Sequence, residues 1–366
     1  MARLTLIATS AVLLILTAVH AQWQPNVAVE NRTLDEIYQA AQAEKCSQLR
    51  VAAGGDAKGY WSGTIEGFQK RFPLIDLNLT TDFSKYHDSR IDRAFYAGNE
   101  DIDIAALQTL QDFPRWKAQN RLMFYKPQNF SDLVNGEKDF DGAWLPVYLF
   151  GFGQFFYDSN KIKESEIPDN YLDLLDPKWK GKLISTYPND DDAIAYLFSL
   201  QIAKYGFEWF ERLAQQDVQW VRGSATPFIL LSQGADNTSS ERAITFSTTH
   251  LDGFNPAVKS TIPSKEEYFS WFQTMAIFRS TKCPESSKLF VSWILSDEWQ
   301  APLSKTITTP LNHLNALSGN EIYTNNKTQT QGFRYFENDR AVVEWWKTQY
   351  ETTLGPAVGI DPNLIY

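Results

Sequence analysis

Residues 49–81 read LRVAAGGDAKGYWSGTIEGFQKRFPLIDLNLTT, and the order of signals in this stretch decides the fold. Leu49 to Ala53 is a short apolar run that stops at Gly54, Gly55 and Asp56. From Ser62 the spacing predicts a helix that Pro73 ends, since proline lacks the amide hydrogen a helix interior needs. A second strand is predicted over 75–81. Strand, glycine turn, helix and strand make one βαβ unit. A helix predicted over 88–98 and an apolar strand over 101–107 repeat the pattern, as a parallel strand buried on both faces requires. Ligands of such sheets bind beyond the carboxyl ends of the strands, which nominates Gly54, Gly55 and Asp56 together with Gln108 and Thr109. The two glycines either admit a ligand close to the backbone or serve the turn alone.

Upstream, TLDEIYQAAQAEK (33–45) opens with Thr33 and Glu36 in capping-box spacing and carries Leu34, Ile37, Tyr38 and Ala41 on one face, so an amphipathic helix is expected. Downstream, WLPVYLFGFGQFFYD (144–158) alternates and is long enough for one strand leaving the first domain. A second α/β set follows, with strands in 181–186, 218–222 and 243–248 and helices in 187–206, 207–216 and 226–234. Another strand-rich stretch over 270–281 precedes a helix over 285–297, too short to found a domain, so the last third is expected to return to the first lobe. A chain of this length outgrows a single hydrophobic core, and two domains are expected.

Arg3 precedes an apolar run from Leu4 to Val19 and the small-residue site VHA, the pattern of a secretory signal peptide cleaved after Ala21. The run is shorter than the ~20 apolar residues a spanning helix needs, and no later run reaches that length, so no membrane insertion is expected. The expected location is extracellular, or periplasmic if the source is bacterial. Sequons at Asn31, Asn78, Asn129, Asn237 and Asn326 suit a secreted glycoprotein. Only Cys46 and Cys283 are present, and in an exported chain a lone pair predicts one disulfide; the chain-entropy model gives a bridge over so long a loop about 4 to 5 kcal/mol. The net charge of −10 without a basic cluster argues against nucleic acid as a partner. Aromatic residues make up 14% of the chain, with 12 Trp, and such side chains often line clefts for sugars or organic cations.

Four segments, DEIYQAAQAEKCSQLRVAAGGD (35–56), LLDPKWKGKLIS (174–185), LSQGAD (231–236) and SSKLFVSWILSDEWQ (286–300), resemble in order and spacing the type II periplasmic solute-binding proteins, in particular the ferric-ion, thiamine and polyamine branch. The chain also looks like secreted fungal members, for which no transporter partner is obvious. The resemblance implies an α/β, two-lobed type II periplasmic-binding-protein fold with two crossing strands and a ligand-holding cleft that closes around its cargo. On that expectation 22–146 forms the first lobe, 147–157 crosses, 158–269 forms the second lobe, 270–282 crosses back, and 283–366 holds the return to the first lobe and the C-terminal helices. A monomer that binds a small molecule or ion is implied, with no cofactor.

The junction YPNDDDA (187–193) matches the loop-to-helix turn that faces the cleft in that family. A helix N-terminus favours an anion, and Asp190, Asp191 and Asp192 would reverse that preference. At least one should cap the helix. Another, with Asn189 beside it, is the best candidate to face a cationic group. Tyr60, Trp61 and Tyr86 could supply aromatic faces to an organic cation, or belong to the core. Thr226 is a helix cap first and a ligand donor second. Iron-binding relatives carry adjacent tyrosines where this chain has Ser247, Thr248 and Thr249, so Fe3+ is a weaker candidate ligand; His250 could still coordinate.

Two further classes were weighed against a binding protein: a carbohydrate-active enzyme using paired carboxylates, and a ligand-free interaction protein built on the same lobes. No nucleophile elbow and no zinc-protease motif is present, and the two-lobe pattern differs from the barrels and sandwiches of most such enzymes. The sequence therefore reads as a non-enzymatic, secreted solute-binding protein.

Overall fold

In the computed structural model, residues 27–57, 59–235, 237, 239–249 and 255–364 are described here; the expected signal peptide and His250 lie outside them. The helix α1 (Leu34–Ala43) begins with the anticipated capping box: Thr33 Oγ1 accepts from the Glu36 amide and Glu36 accepts from the Thr33 amide. Strand β1 (Leu49–Gly54) pairs in parallel with β2 (Leu77–Asp82) on one side and β3 (Ile104–Leu107) on the other. Helix α2 (Ser62–Arg71) joins β1 to β2, and α3 (Ser84–Ala97) joins β2 to β3. Strand β1 shows why the apolar run was continuous. Leu49, Val51 and Ala53 pack with Phe68 of α2 on one face, while Ala52 packs with Ile91 of α3 and with Phe113 and Trp116 of α4 (Asp112–Ala118) on the other.

Two long strands complete this sheet. Strand β10 (Phe269–Ile277) runs antiparallel to β3 and to β4 (Leu145–Phe152), giving the order β2-β1-β3-β10-β4. The chain over 144–158 is two strands rather than the single one expected. Gly153, at φ +108°, breaks it before β5 (Phe155–Asp158), and Tyr171 Oη donates to the Gly153 carbonyl. A Cβ at Gly153 would stand 2.7 Å from that hydroxyl, so the bend that sends the chain into the second lobe is reserved for glycine.

In the second lobe β5 lies between β8 (Ile244–Thr245) and β9 (Val258–Thr261), and β6 (Ile184–Thr186) pairs with β7 (Gln219–Val221). Helices α5 (Asp192–Tyr205) and α6 (Phe207–Ala214) cover one side, and α7 (Thr226–Gly234) packs Phe228 and Ile229 against Phe156 and Ile184 on the other. Helix α8 (Pro284–Ile294) returns to the first lobe and packs on α1, where the Cys46–Cys283 disulfide joins them. Helices α9 (Asp297–Leu303) and α10 (Asn312–Ser318) stay on the first-lobe side with α8, whereas the C-terminal helices α11 (Gln331–Asn338) and α12 (Arg340–Leu354) do not. Phe333, Phe336, Val343 and Tyr350 enter the second-lobe core, where Phe336 packs on Tyr196 and Tyr350 on Phe198 of α5. Asn31, Asn78, Asn237 and Asn326 are exposed, whereas Asn129 is half-buried and its amide donates to the Leu295 carbonyl and Asp297.

Candidate functional site in the interlobe cleft

The carboxyl ends of β1 and β3 meet the N-termini of α5 and α7 across a cavity of about 120 Å³. Hydrogen bonds cross the seam between lobes. Asp56, at the end of β1, accepts from the Ala225 amide at 2.9 Å and from Ser224 Oγ at 3.0 Å, so a first-lobe carboxylate sits on the N-terminus of α7. Lys85 of α3 reaches the Asp190 carboxylate at 2.9 Å, and Arg222 donates to Tyr86 Oη at 3.2 Å. The segment after α12 closes the same seam: Asn189 donates to the Gly355 carbonyl, and the Asn363 amide donates to Asp82 at 3.2 Å.

The three aspartates take three different roles. Asp191 is the cap of α5, accepting from the Ala193 and Ile194 amides at 2.8 and 3.0 Å. Burial nevertheless pushes its carboxyl up to about 6. Asp190 is bridged by Lys85 and Arg222, which outweigh burial and hold it below the usual carboxylate range. Asp192 is bridged by Arg340 at 2.6 Å and by Lys347, both from α12. The expected bare acidic corner is therefore largely neutralised by cations of the chain itself. Those cations could not be assigned locally, since Arg340 and Lys347 lie about 150 positions downstream; their seven-residue spacing on one helix face was the only signal.

Of the other candidates, Gly55, Asp56, Tyr60, Gln108 and Thr109 line the cavity with the three aspartates. Gly54 and Thr249 line it too, whereas Trp61, Tyr86, Asn189, Thr226, Ser247 and Thr248 do not. Trp61 is core, its indole N–H donating to the Gly54 carbonyl. Tyr86 is engaged on Arg222, and Asn189 on Gly355. Thr226 is the first residue of α7 and its hydroxyl donates to the Arg222 carbonyl. Ser247 and Thr248 are fully buried: Ser247 Oγ accepts from the Thr186 amide and Thr248 Oγ1 donates to the Ser224 carbonyl. Hydroxyls committed to backbone partners in this way are positioning groups for the turns around the cleft. Wall residues missed in the sequence include Asp88, Gln111, Phe150, Phe152, Trp271 and Glu337. The aromatic three come from the paired strands β4 and β10, where apolar residues read as core.

Asp88 faces the carboxyl of Asp112, and burial, then that neighbour, raise its pKa to about 8. A native state that keeps a proton the unfolded chain has released loses stability as pH rises, here between about 4 and about 8. Asp88→Asn should therefore stabilise the protein at pH 8 and leave it unchanged at pH 4, read as urea midpoints. An equal change at both pH values would show that the carboxyl pair is not the cause.

A cleft between two α/β lobes joined by crossing strands, walled by aromatic and ionisable side chains, defines a binding protein that encloses a small solute. The chain belongs to the bacterial extracellular solute-binding protein family, whose model matches residues 112–339. Its fold is that of the two-lobed type II periplasmic binding proteins. The substrate-binding protein of an ABC transporter from Agrobacterium tumefaciens superposes with a TM-score of 0.66 at 14% identity, covering 86% of this chain and 96% of that one. The apo ferric ion-binding protein A of Pasteurella haemolytica gives 0.61 at 13% identity over 84% and 98% of the two chains. The fructose 6-phosphate-bound periplasmic binding protein AfuA of Actinobacillus pleuropneumoniae gives 0.61 at 16% over 85% and 100%. No curated protein sequence matches. The family consists of binding proteins rather than enzymes, which sets aside the carbohydrate-active alternative. Among the described residues no helix is long and apolar enough to cross a membrane, and no three His, Cys, Asp or Glu side chains are grouped to hold a metal ion.

Proposed function

We propose that the protein is a secreted, monomeric binding protein that captures a small organic cation between its lobes. One observation carries this reading: of the six carboxyl groups lining the cavity, Asp190 and Asp192 take the cations Lys85, Arg222, Arg340 and Lys347, while Asp56, Asp88, Asp191 and Glu337 have no ion pair among the described residues. A cationic ligand gives these four carboxyl groups the ion-pair partner they lack and gains aromatic contact from Phe150, Phe152 and Trp271.

The helix ends support the same choice. The N-termini of α5 and α7 are where an anion would be expected to bind, and each already holds a carboxylate of the chain, Asp191 and Asp56. A phosphate or carboxylate ligand would first have to displace one of them. Ferric ion is the weaker candidate, since hydroxyls with backbone partners stand where its phenolate ligands would be needed.

Thermal unfolding with added amines, thiamine, ferric citrate and fructose 6-phosphate tests the class. A ligand bound only by the folded state at a hundred times its Kd adds about 2.7 kcal/mol of stability, so a rise in Tm with organic cations alone is expected. A rise confined to the phosphate or the ferric complex would overturn the proposal.

A further inference from the structure

At the turn between β3 and α4, three side-chain oxygens from residues lining the cavity, two on the turn and one on α11, share an uncommon property. Leu110 donates its amide to Glu337 Oε2 at 2.7 Å, which pins the Glu337 carboxyl against this turn. Glu337 is completely buried, yet among the described residues its Oε1 has no hydrogen-bond partner. Thr109 Oγ1 and Gln111 Oε1, on either side of Leu110, are likewise buried and unpartnered. Thr109, Gln111 and Glu337 all line the cavity. Buried polar atoms are nearly always paired, so a cluster of such exceptions on a cavity wall marks where a ligand supplies the missing partners.

Their chemistry restricts that ligand. Once the Glu337 carboxyl has released its proton, a glutamate oxygen, an amide oxygen and a hydroxyl are three acceptors, and an –NH3+ group presents three donors, whereas a quaternary ammonium presents none. Size restricts it further. An apolar cavity of about 150 Å³ holds one benzene, so roughly four to six non-hydrogen atoms suit the 120 Å³ present here. Trp271 also lines the cavity and its indole N–H has no partner, so an oxygen on the same molecule would find a donor.

We infer that this end of the cleft is a subsite for the primary ammonium of a compact amine, with Thr109, Gln111 and Glu337 as its acceptors. The inference rests on the cation-binding reading above and narrows it. Around Glu337 stand the Leu110 amide, Asp112 of α4, Asp192 of α5 and Arg340 of α12. Burial, then Asp192, raises its pKa well above the ordinary carboxylate range, so an arriving ammonium is best accommodated as the carboxyl proton leaves.

Calorimetric titration of the full mature chain with 2-aminoethanol tests this. Choline, which keeps the charge and the hydroxyl but has no N–H, and ethane-1,2-diol, which has no charge, are the controls. Saturable binding of 2-aminoethanol is expected, with a heat that changes between buffers of different ionisation enthalpy. Choline, and 2-aminoethanol on Glu337→Gln, should each bind about tenfold or more weakly. Choline binding as tightly, undiminished affinity in Glu337→Gln, or no saturable heat by about 10 mM would overturn the subsite. Should Glu337→Gln lack a cooperative melt, Thr109→Val replaces it, and unchanged affinity there counts against the subsite equally. Tight binding of spermidine or thiamine without 2-aminoethanol removes the subsite and leaves the cation-binding reading standing. Binding of phosphates alone removes both.

Discussion

Replacing Cys46 and Cys283 together by serine is expected to lower the free energy of unfolding by about 5 kcal/mol. The bridge joins the end of α1 to the start of α8 and closes a loop of 237 residues, which removes a large share of the conformations open to the unfolded chain. Domains are stable by only about 5 to 15 kcal/mol, so the double variant should sit near the edge of folding. The contacts that remain are polar and apolar: Glu44 accepts from the Glu285 and Ser286 amides at 2.7 Å, Arg32 pairs with Glu285 at 2.8 Å, and Ile37 and Ala41 share a hydrophobic cluster with Leu289 and Phe290. Urea denaturation checks the expectation, with a lower midpoint and, since the unfolded chain is released, a steeper slope. A loss below about 1 kcal/mol would mean the disulfide adds little beyond the packing of α1 on α8.

Asp192→Asn should cost about 3 kcal/mol at pH 7, because it removes the counter-charge of Lys347, which is largely buried, and of Arg340, which water reaches in part. Asp192 stands in the first turn of α5, while Arg340 and Lys347 reach it from α12, with Lys347 only 18% exposed. Leaving an ammonium and a guanidinium together without their carboxylate forces α12 away from α5, which also loosens the aromatic contacts of Tyr350 with Phe198 and Phe210. The pH dependence has a definite sign. Burial opposes the charge of Asp192, but Lys347 and Arg340 prevail and hold its pKa below the usual value. Its contribution is therefore present above the unfolded pKa of about 4 and lost as pH falls through the lower folded pKa. The gap in urea midpoint between wild type and Asp192→Asn should close as the solution is acidified. Adding Lys347→Met to Asp192→Asn should restore part of the loss at pH 7; a double variant no better than the single one would place the cost elsewhere.

These two expectations stand at opposite ends of what could be read from the chain. The disulfide required only a count of cysteines and an exported context. The Asp192 bridge depends on a helix about 150 residues later packing against α5, which no local pattern in either segment encodes. The aromatic wall was missed for a related reason. Phe150, Phe152 and Trp271 occupy strand positions where alternation indicates a core, and only the gap between lobes turns part of that core into a binding surface. Trp61 and Tyr86 stand near strand ends, but Gly54 and Arg222 engage their polar atoms and neither side chain lines the cavity.

Amino-acid order alone determined the βαβ units, the capping box at Thr33, the Cys46–Cys283 pair and the strand ends where Asp56 and Gln108 meet the cleft. Each of these follows from hydrophobic period, turn chemistry or composition, which act over a few residues or need no geometry at all. Tertiary structure alone decided which charges cancel, which aromatics face the cavity and which polar atoms are left without partners. Those are properties of side chains brought within a few ångströms from distant segments, where the loss of water makes each pairing or missing partner count, and no local pattern encodes them.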